Sequence, residues 1–196
     1  MHDDRLDPGT WYMPFAQGLF TVDGLPAHPL LVDAVAVLLP LAAVCAVGLA
    51  VHRRLRRRFG WPVLTLTGVA VATVPLAQAT GRQLSAYLAQ PDQTLARHEQ
   101  LGNQLLPYAL GFGVAVVFLV VAGKLADRER AATIRAEHER TSADGRDTPA
   151  RRVPTTWRRI SVLASVLVIV LAALTTVDVV RIGLTGAQAV WTGVAE

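Results

Sequence analysis

Four apolar stretches, each long enough to cross a bilayer, constrain this chain more than any other feature. They run Ala27–Val51, Trp61–Thr80, Leu105–Lys124 and Ile160–Arg181. Each is close to the roughly 20 residues that span about 30 Å of hydrocarbon. Inside them, Ala34–Val51, Val63–Ala77, Ala109–Gly123 and Ser161–Thr175 have almost no polar face, whereas surface helices of a soluble bundle carry one. A hydrophobic share of 52% and a mean hydropathy of +0.38 agree with that contrast. The sequence therefore predicts an all-α fold: a four-transmembrane-helix bundle with N and C termini outside and short interfacial segments. An N-terminal interfacial arm, 1–26, precedes a membrane domain, 27–193.

Orientation follows from the cations. Arg53, Arg54, Arg56, Arg57 and Arg58 fill the connection 52–60, and Lys124, Arg128, Arg130, Arg135, Arg140, Arg146, Arg151, Arg152, Arg158 and Arg159 cluster in or beside the connection 126–159. The arm before Ala27 holds only Arg5, and the second connection only Arg82 and Arg97. A positive-inside bias puts the two arginine-rich connections in the cytoplasm and both termini on the other side. The net charge of +4 is thus explained by topology. The lipid bilayer is the expected partner, with a second copy or another membrane protein as further possibilities, and no nucleic acid is expected. Asp127, Glu129, Glu137 and Glu139 alternate with arginines in a solvated pattern; this part prolongs the third helix, and Thr141–Pro154 has linker composition.

The first apolar block starts late and runs long for a cleaved signal, so it is expected to stay as a span. Its Cys45 is the one cysteine; it can form no internal disulfide and reads as a packing residue. In the arm, Asp3, Asp4 and Asp7 are followed by Trp11, Tyr12, Phe15, Leu19 and Phe20, an aromatic and aliphatic set suited to the interface. Pro29, Pro62 and Pro107 suit helix first turns, while Pro40 and Pro75 fall inside spans. Leu84–Gln104 reads as the outer connection, with a short separate helix over Thr94–Gln104. Corresponding connections share too few residues to establish an internal repeat. Gly68, Gly111 and Gly113 permit close helix contact without forming a GxxxG pair.

Embedded polar residues collect at one level. His28, Asp33, Gln78, Arg82, His98, Gln104, Asp178 and Arg181 all fall toward the outer helix ends. A carboxylate at Asp33 needs water, a proton or a donor, and Arg82 or Arg181 is the expected donor. Asp178 and Arg181, three residues apart, offer a competing pair within one helix. Asp33, Gln78, Arg82, Asp178 and Arg181 thus form either a structural network or a small-ligand site, with a small transporter or proton-coupled accessory protein as another reading. His28 and His98 share this level and suit haem or a divalent metal, Asp33 completing a mixed set in the metal case. No CxxCH, HExxH, GxGxxG or GxxxxGK[ST] sequence occurs, so nothing here argues for an enzyme.

The segment Gly24-Leu25-Pro26-Ala27-His28-Pro29-Leu30-Leu31-Val32 resembles the DUF2231 family of bacterial membrane proteins. So do Pro75-Leu76-Ala77, Arg97-His98-Glu99-Gln100-Leu101-Gly102, and Val180-Arg181-Ile182-Gly183 followed by Gly186-Ala187-Gln188-Ala189-Val190-Trp191. The resemblance covers most of Gly24–Gly193. It implies a small multi-helical domain of the bacterial cell membrane, with no general activity attached, and supports treating His28 and His98 together. Related sequences are expected to carry a polar residue between Gly183 and Gly186. Here the pair is Leu184-Thr185, which argues against a ligand held by the side chain at Leu184. Trp191 then anchors the C-terminal segment at the interface.

Overall fold

A computed structural model of the protein describes residues 21–22, 25–87, 93–144 and 156–191. The arm residues Trp11–Phe20 and most of the Thr141–Pro154 linker lie outside the described residues. Four helices make up the fold: α1 Ala27–Val51, α2 Arg53–Tyr87, α3 Gln93–Asp144 and α4 Thr156–Trp191. A two-residue antiparallel ladder, β1 Thr21–Val22 with β2 Leu25–Pro26, leads into α1. All four helices are long and apolar enough to cross a membrane. This is a multi-pass, all-α membrane protein.

The helices run farther than the apolar stretches. Arg53–Arg58, expected as a loop, forms the first turns of α2, because arginine is a good helix former and nothing in the run breaks a helix. Only His52 separates α1 from α2, and hydrogen bonds cross the corner. The His52 N–H donates to Gly48 O at 2.9 Å and the Arg56 N–H to His52 O at 3.1 Å. Likewise Thr94–Gln104 is no separate element but the start of the 52-residue α3. Pro62 and Pro107 consequently sit inside helices rather than in first turns. Each withholds one backbone donor, a loss that neighbouring helices in a bundle accommodate.

Each helix packs on two neighbours, in the cyclic order α1, α2, α3, α4, with α1 and α3 touching at few positions. The inward stripes repeat at three- and four-residue steps: Leu39, Ala42, Ala46 and Leu49 on α1; Val63, Thr67, Ala70 and Val74 on α2; Leu105, Ala109, Phe112, Val116 and Leu119 on α3; Ser161, Ala164, Val168, Ala172 and Thr175 on α4. Many inward residues are small, whereas Val44, Phe118 and Leu163 stand 60% or more exposed on the outside. Lipid is as apolar as this core, so the helices associate through close packing rather than by expelling water. Buried hydroxyls bond within the protein. Thr67 donates to Val63 O at 2.8 Å, and Thr175 reaches across to Tyr108 O at 3.4 Å. Cys45 is half-buried against this core, as its expected packing role requires.

Beyond the apolar stretch of α3, Asp127 ties α3 to the start of α2. It accepts from Arg53, whose Nε lies at 2.8 Å, and from Arg57. Partial burial pushes this carboxyl up, but the two guanidinium groups outweigh it and hold Asp127 below its ordinary range. A depressed carboxyl stabilises the fold above its unfolded value and loses that contribution as pH falls through the folded one. Detergent-solubilised protein should therefore lose stability on acidification below pH ~4, and Asp127→Asn should flatten that dependence. An unchanged acid profile in the variant would remove Asp127 from the account.

A repeated histidine clasp and its cavity

The two helical hairpins are closed at one end by the same contact. In the first, His28 in the opening turn of α1 places Nδ1 3.0 Å from Ala77 O and 3.3 Å from Thr80 Oγ1 on α2. In the second, His98 near the start of α3 places Nδ1 3.2 Å from Ile182 O and 3.4 Å from Thr185 Oγ1 on α4. The threonines match as well. Thr80 donates to Leu76 O or Ala77 O (3.1 and 3.0 Å), and Thr185 to Arg181 O or Ile182 O (3.2 and 3.0 Å). One residue farther along, each ring rests on a glycine. A β-carbon on Gly81 would lie 2.9 Å from His28 Cε1, and one on Gly186 would lie 3.1 Å from His98 Cε1.

Carbonyl, threonine three residues on and glycine four residues on thus recur in both hairpins, though the chain shows no convincing repeat in sequence. The shared residues amount to a Thr-Gly pair and one distant histidine per hairpin, too little for a sequence comparison to register.

This geometry also fixes the tautomer. A carbonyl oxygen has no proton to offer, so Nδ1 must carry the hydrogen in each ring. Nε2 of the neutral imidazole then keeps its lone pair, and neither Nε2 has a hydrogen-bond partner among the described residues.

Both rings line a cavity of about 230 Å³ between the clasped ends of the helices. Val32, Val35, Val74, Leu105, Val179 and Ile182 make its walls chiefly apolar, and Gln78, Arg82, Glu99 and Asn103 contribute polar groups. Gln78 Nε2 donates to Gly102 O at 2.8 Å and joins α2 to α3 beside the cavity.

The expected polar network is only partly assembled. Gln78 and Arg82 line the cavity, but Asp33 does not; it is exposed on α1 and makes no salt bridge among the described residues. Its helix turns it away because the cavity-facing positions of α1 are His28, Val32, Val35 and Ala36. The Asp33–Arg82 and Asp33–Arg181 pairs are therefore not formed. Nor does Asp33 share the cavity with His28 and His98 among the described residues. Among the described residues, no three His, Cys, Asp or Glu side chains come together as a metal site would require. Arg181 is exposed, whereas Asp178 is buried and its Oδ2 has no hydrogen-bond partner.

A buried carboxylate oxygen without a donor is costly. Asp178→Asn, which removes the charge at constant shape, should leave thermal stability in detergent equal to or above that of the parent. A loss beyond ~2 kcal/mol would show that Asp178 works as an anion in the fold.

Thr80, Gly81, Glu99, Asn103, Thr185 and Gly186 belong to this site and were not singled out as site residues from sequence. The one available signal was the placement of Thr-Gly at the end of both α2 and α4.

Comparison of the chain with protein-family models, with curated proteins and with solved structures gave no match.

Proposed function

We propose that the clasp-end cavity binds a flat, largely apolar cofactor between the Nε2 atoms of His28 and His98, that haem is the chemistry these donors suit best, and that the protein is a membrane redox component. The observation that carries this reading is the paired clasp. Each imidazole is oriented by an Nδ1–H to carbonyl bond, and its Nε2, with no hydrogen-bond partner among the described residues, offers a lone pair whenever the ring is neutral. Metal-ligating histidines are typically backed in this way, since the second bond fixes the ring and raises its basicity. His28 and His98 would be the residues that hold haem, which would supply redox chemistry, whereas a bare divalent ion would need a fuller protein donor set. Apolar walls suit a macrocycle, and Arg82 on the same lining offers a cation to a carboxylate on the ligand. The resemblance to the DUF2231 family, which supports treating His28 and His98 together, is part of the same reading.

A second reading, a structural clasp pinning each hairpin, rests on the same hydrogen bonds. An absorption spectrum of protein purified in mild detergent from haem-replete cells separates the two. A Soret band, lost in both His28→Ala and His98→Ala while the variants stay folded, is the expected result. Folded parent protein that neither carries nor takes up haem would leave the clasp as structure alone.

The arginine-rich end is proposed to face the cytoplasm. In a variant with Cys45 replaced by alanine, cysteines introduced at Arg54 or Arg135 should be protected from impermeant reagent in intact cells, and one at Gln90 should label. The reverse pattern would overturn this orientation.

A further inference from the structure

At the end of the bundle opposite the clasp, a second cavity of about 170 Å³ opens between α1, α2, α3 and α4. Arg53, Arg56, Arg130 and Arg158 line it, with Asp127 as the single lining carboxylate among the described residues and Ser161 and Ser165 as hydroxyl groups. Glu129, the next acidic residue on α3, is not part of the lining. The one carboxylate is already engaged by Arg53 and Arg57. Arg56 is placed differently. Its stem crosses Gly123 so closely that a β-carbon there would lie 2.6 Å from Nε. That contact holds the guanidinium half-buried, where Arg53 and Arg130 repel it and Asp127 attracts it. Arg130 is likewise crowded by Arg53 and Arg158. Four cations gathered around a partly enclosed space, with one shared counter-charge among the described residues, leave an excess of positive potential that a bound anion would relieve.

We propose that this cavity is a binding site for a phosphate-type oxyanion, held by Arg56, Arg130 and Arg158 with the Ser161 hydroxyl. Guanidinium groups present planar forks that match phosphate oxygens, and such charge-assisted bonds are the strong ones. The cavity also lies at the level where the helices leave the apolar stretch. There Lys124 sits 4.2 Å from the Trp61 ring centre and both Trp61 and Trp157 are exposed, as residues at a headgroup boundary are. The phosphate is therefore that of an anionic lipid headgroup, which basic pockets between transmembrane helices bind, or of a free phosphorylated solute that offers guanidinium groups the same oxygens.

The test uses the full chain in uncharged detergent at low salt, followed by thermal shift and native mass spectrometry, with short-chain phosphatidylglycerol, phosphatidylcholine and inorganic phosphate as separate probes. Saturable binding of phosphatidylglycerol well above phosphatidylcholine assigns a lipid headgroup; saturable binding of inorganic phosphate assigns a free anion. In either case Arg56→Gln combined with Arg130→Gln should weaken binding at least about tenfold. Gly123→Ala, which displaces Arg56 without removing charge, should weaken it as well. Arg158→Gln, at an exposed position, keeps the test open if the double variant does not fold, and Arg128→Gln, outside the cavity, should change nothing. Failure of every probe to saturate, or equal losses in Arg128→Gln and Arg158→Gln, would overturn the site and reduce the cluster to a general basic surface.

Discussion

Gly81→Val and Gly186→Val should each destabilise the protein in detergent by about 3 kcal/mol, and each should lose most of that penalty when the facing histidine is also removed. The ring of His28 occupies the space of a β-carbon on Gly81, and His98 presses on Gly186 in the same way. A valine must push the imidazole off its carbonyl. The sum of overpacking, about 1–3 kcal/mol, and one broken hydrogen bond, about 1 kcal/mol, sets the magnitude. Pairing Gly81→Val with His28→Ala relieves the clash, so the two losses should be strongly non-additive in a double-mutant cycle; the same holds for Gly186 with His98. Additive losses would mean that the rings do not sit on these glycines.

The largest packing effect is expected at Phe112. It is fully buried on α3, with Gly113 facing Val71 of α2 on one side and Gly111 facing Leu171 of α4 on the other. Those glycines let both neighbours close in, leaving no slack to refill a lost ring. Phe112→Ala should therefore destabilise by about 3–5 kcal/mol through the cavity it leaves. Phe118→Ala, at a position 60% exposed on the outer surface, should change stability by under ~1 kcal/mol. Chemical denaturation of the two variants side by side checks this, and similar losses would place the bundle interior elsewhere.

The spans were legible because hydrocarbon thickness dictates a run of about 20 apolar residues, and Ala27–Val51 matches α1 to the residue. The helix extensions were not. Arg53–Arg58 and Thr94–Gln104 look like connections when only hydropathy is counted, yet helix hydrogen bonding continues where the chain enters water. Which face of each helix turns inward was hidden for a related reason: Leu39 and Val44 are equally apolar, and the difference between core and lipid side is one of size and fit. His28 and His98 could be paired by level alone. Their glycine seats and carbonyl partners lie 49 to 88 residues away in sequence and emerge only once the hairpins close. Asp33 misled because its depth was readable and its direction was not.

Equilibrium titration of the purified, cofactor-free protein with haem tests the paired-histidine site most directly. The expected result is one saturable site per chain with a spectrum of two axial imidazoles, and loss of that spectrum in both His28→Ala and His98→Ala, with helix content by circular dichroism unchanged. No saturation in the folded parent, or retention of the same site and spectrum by either variant, would contradict it.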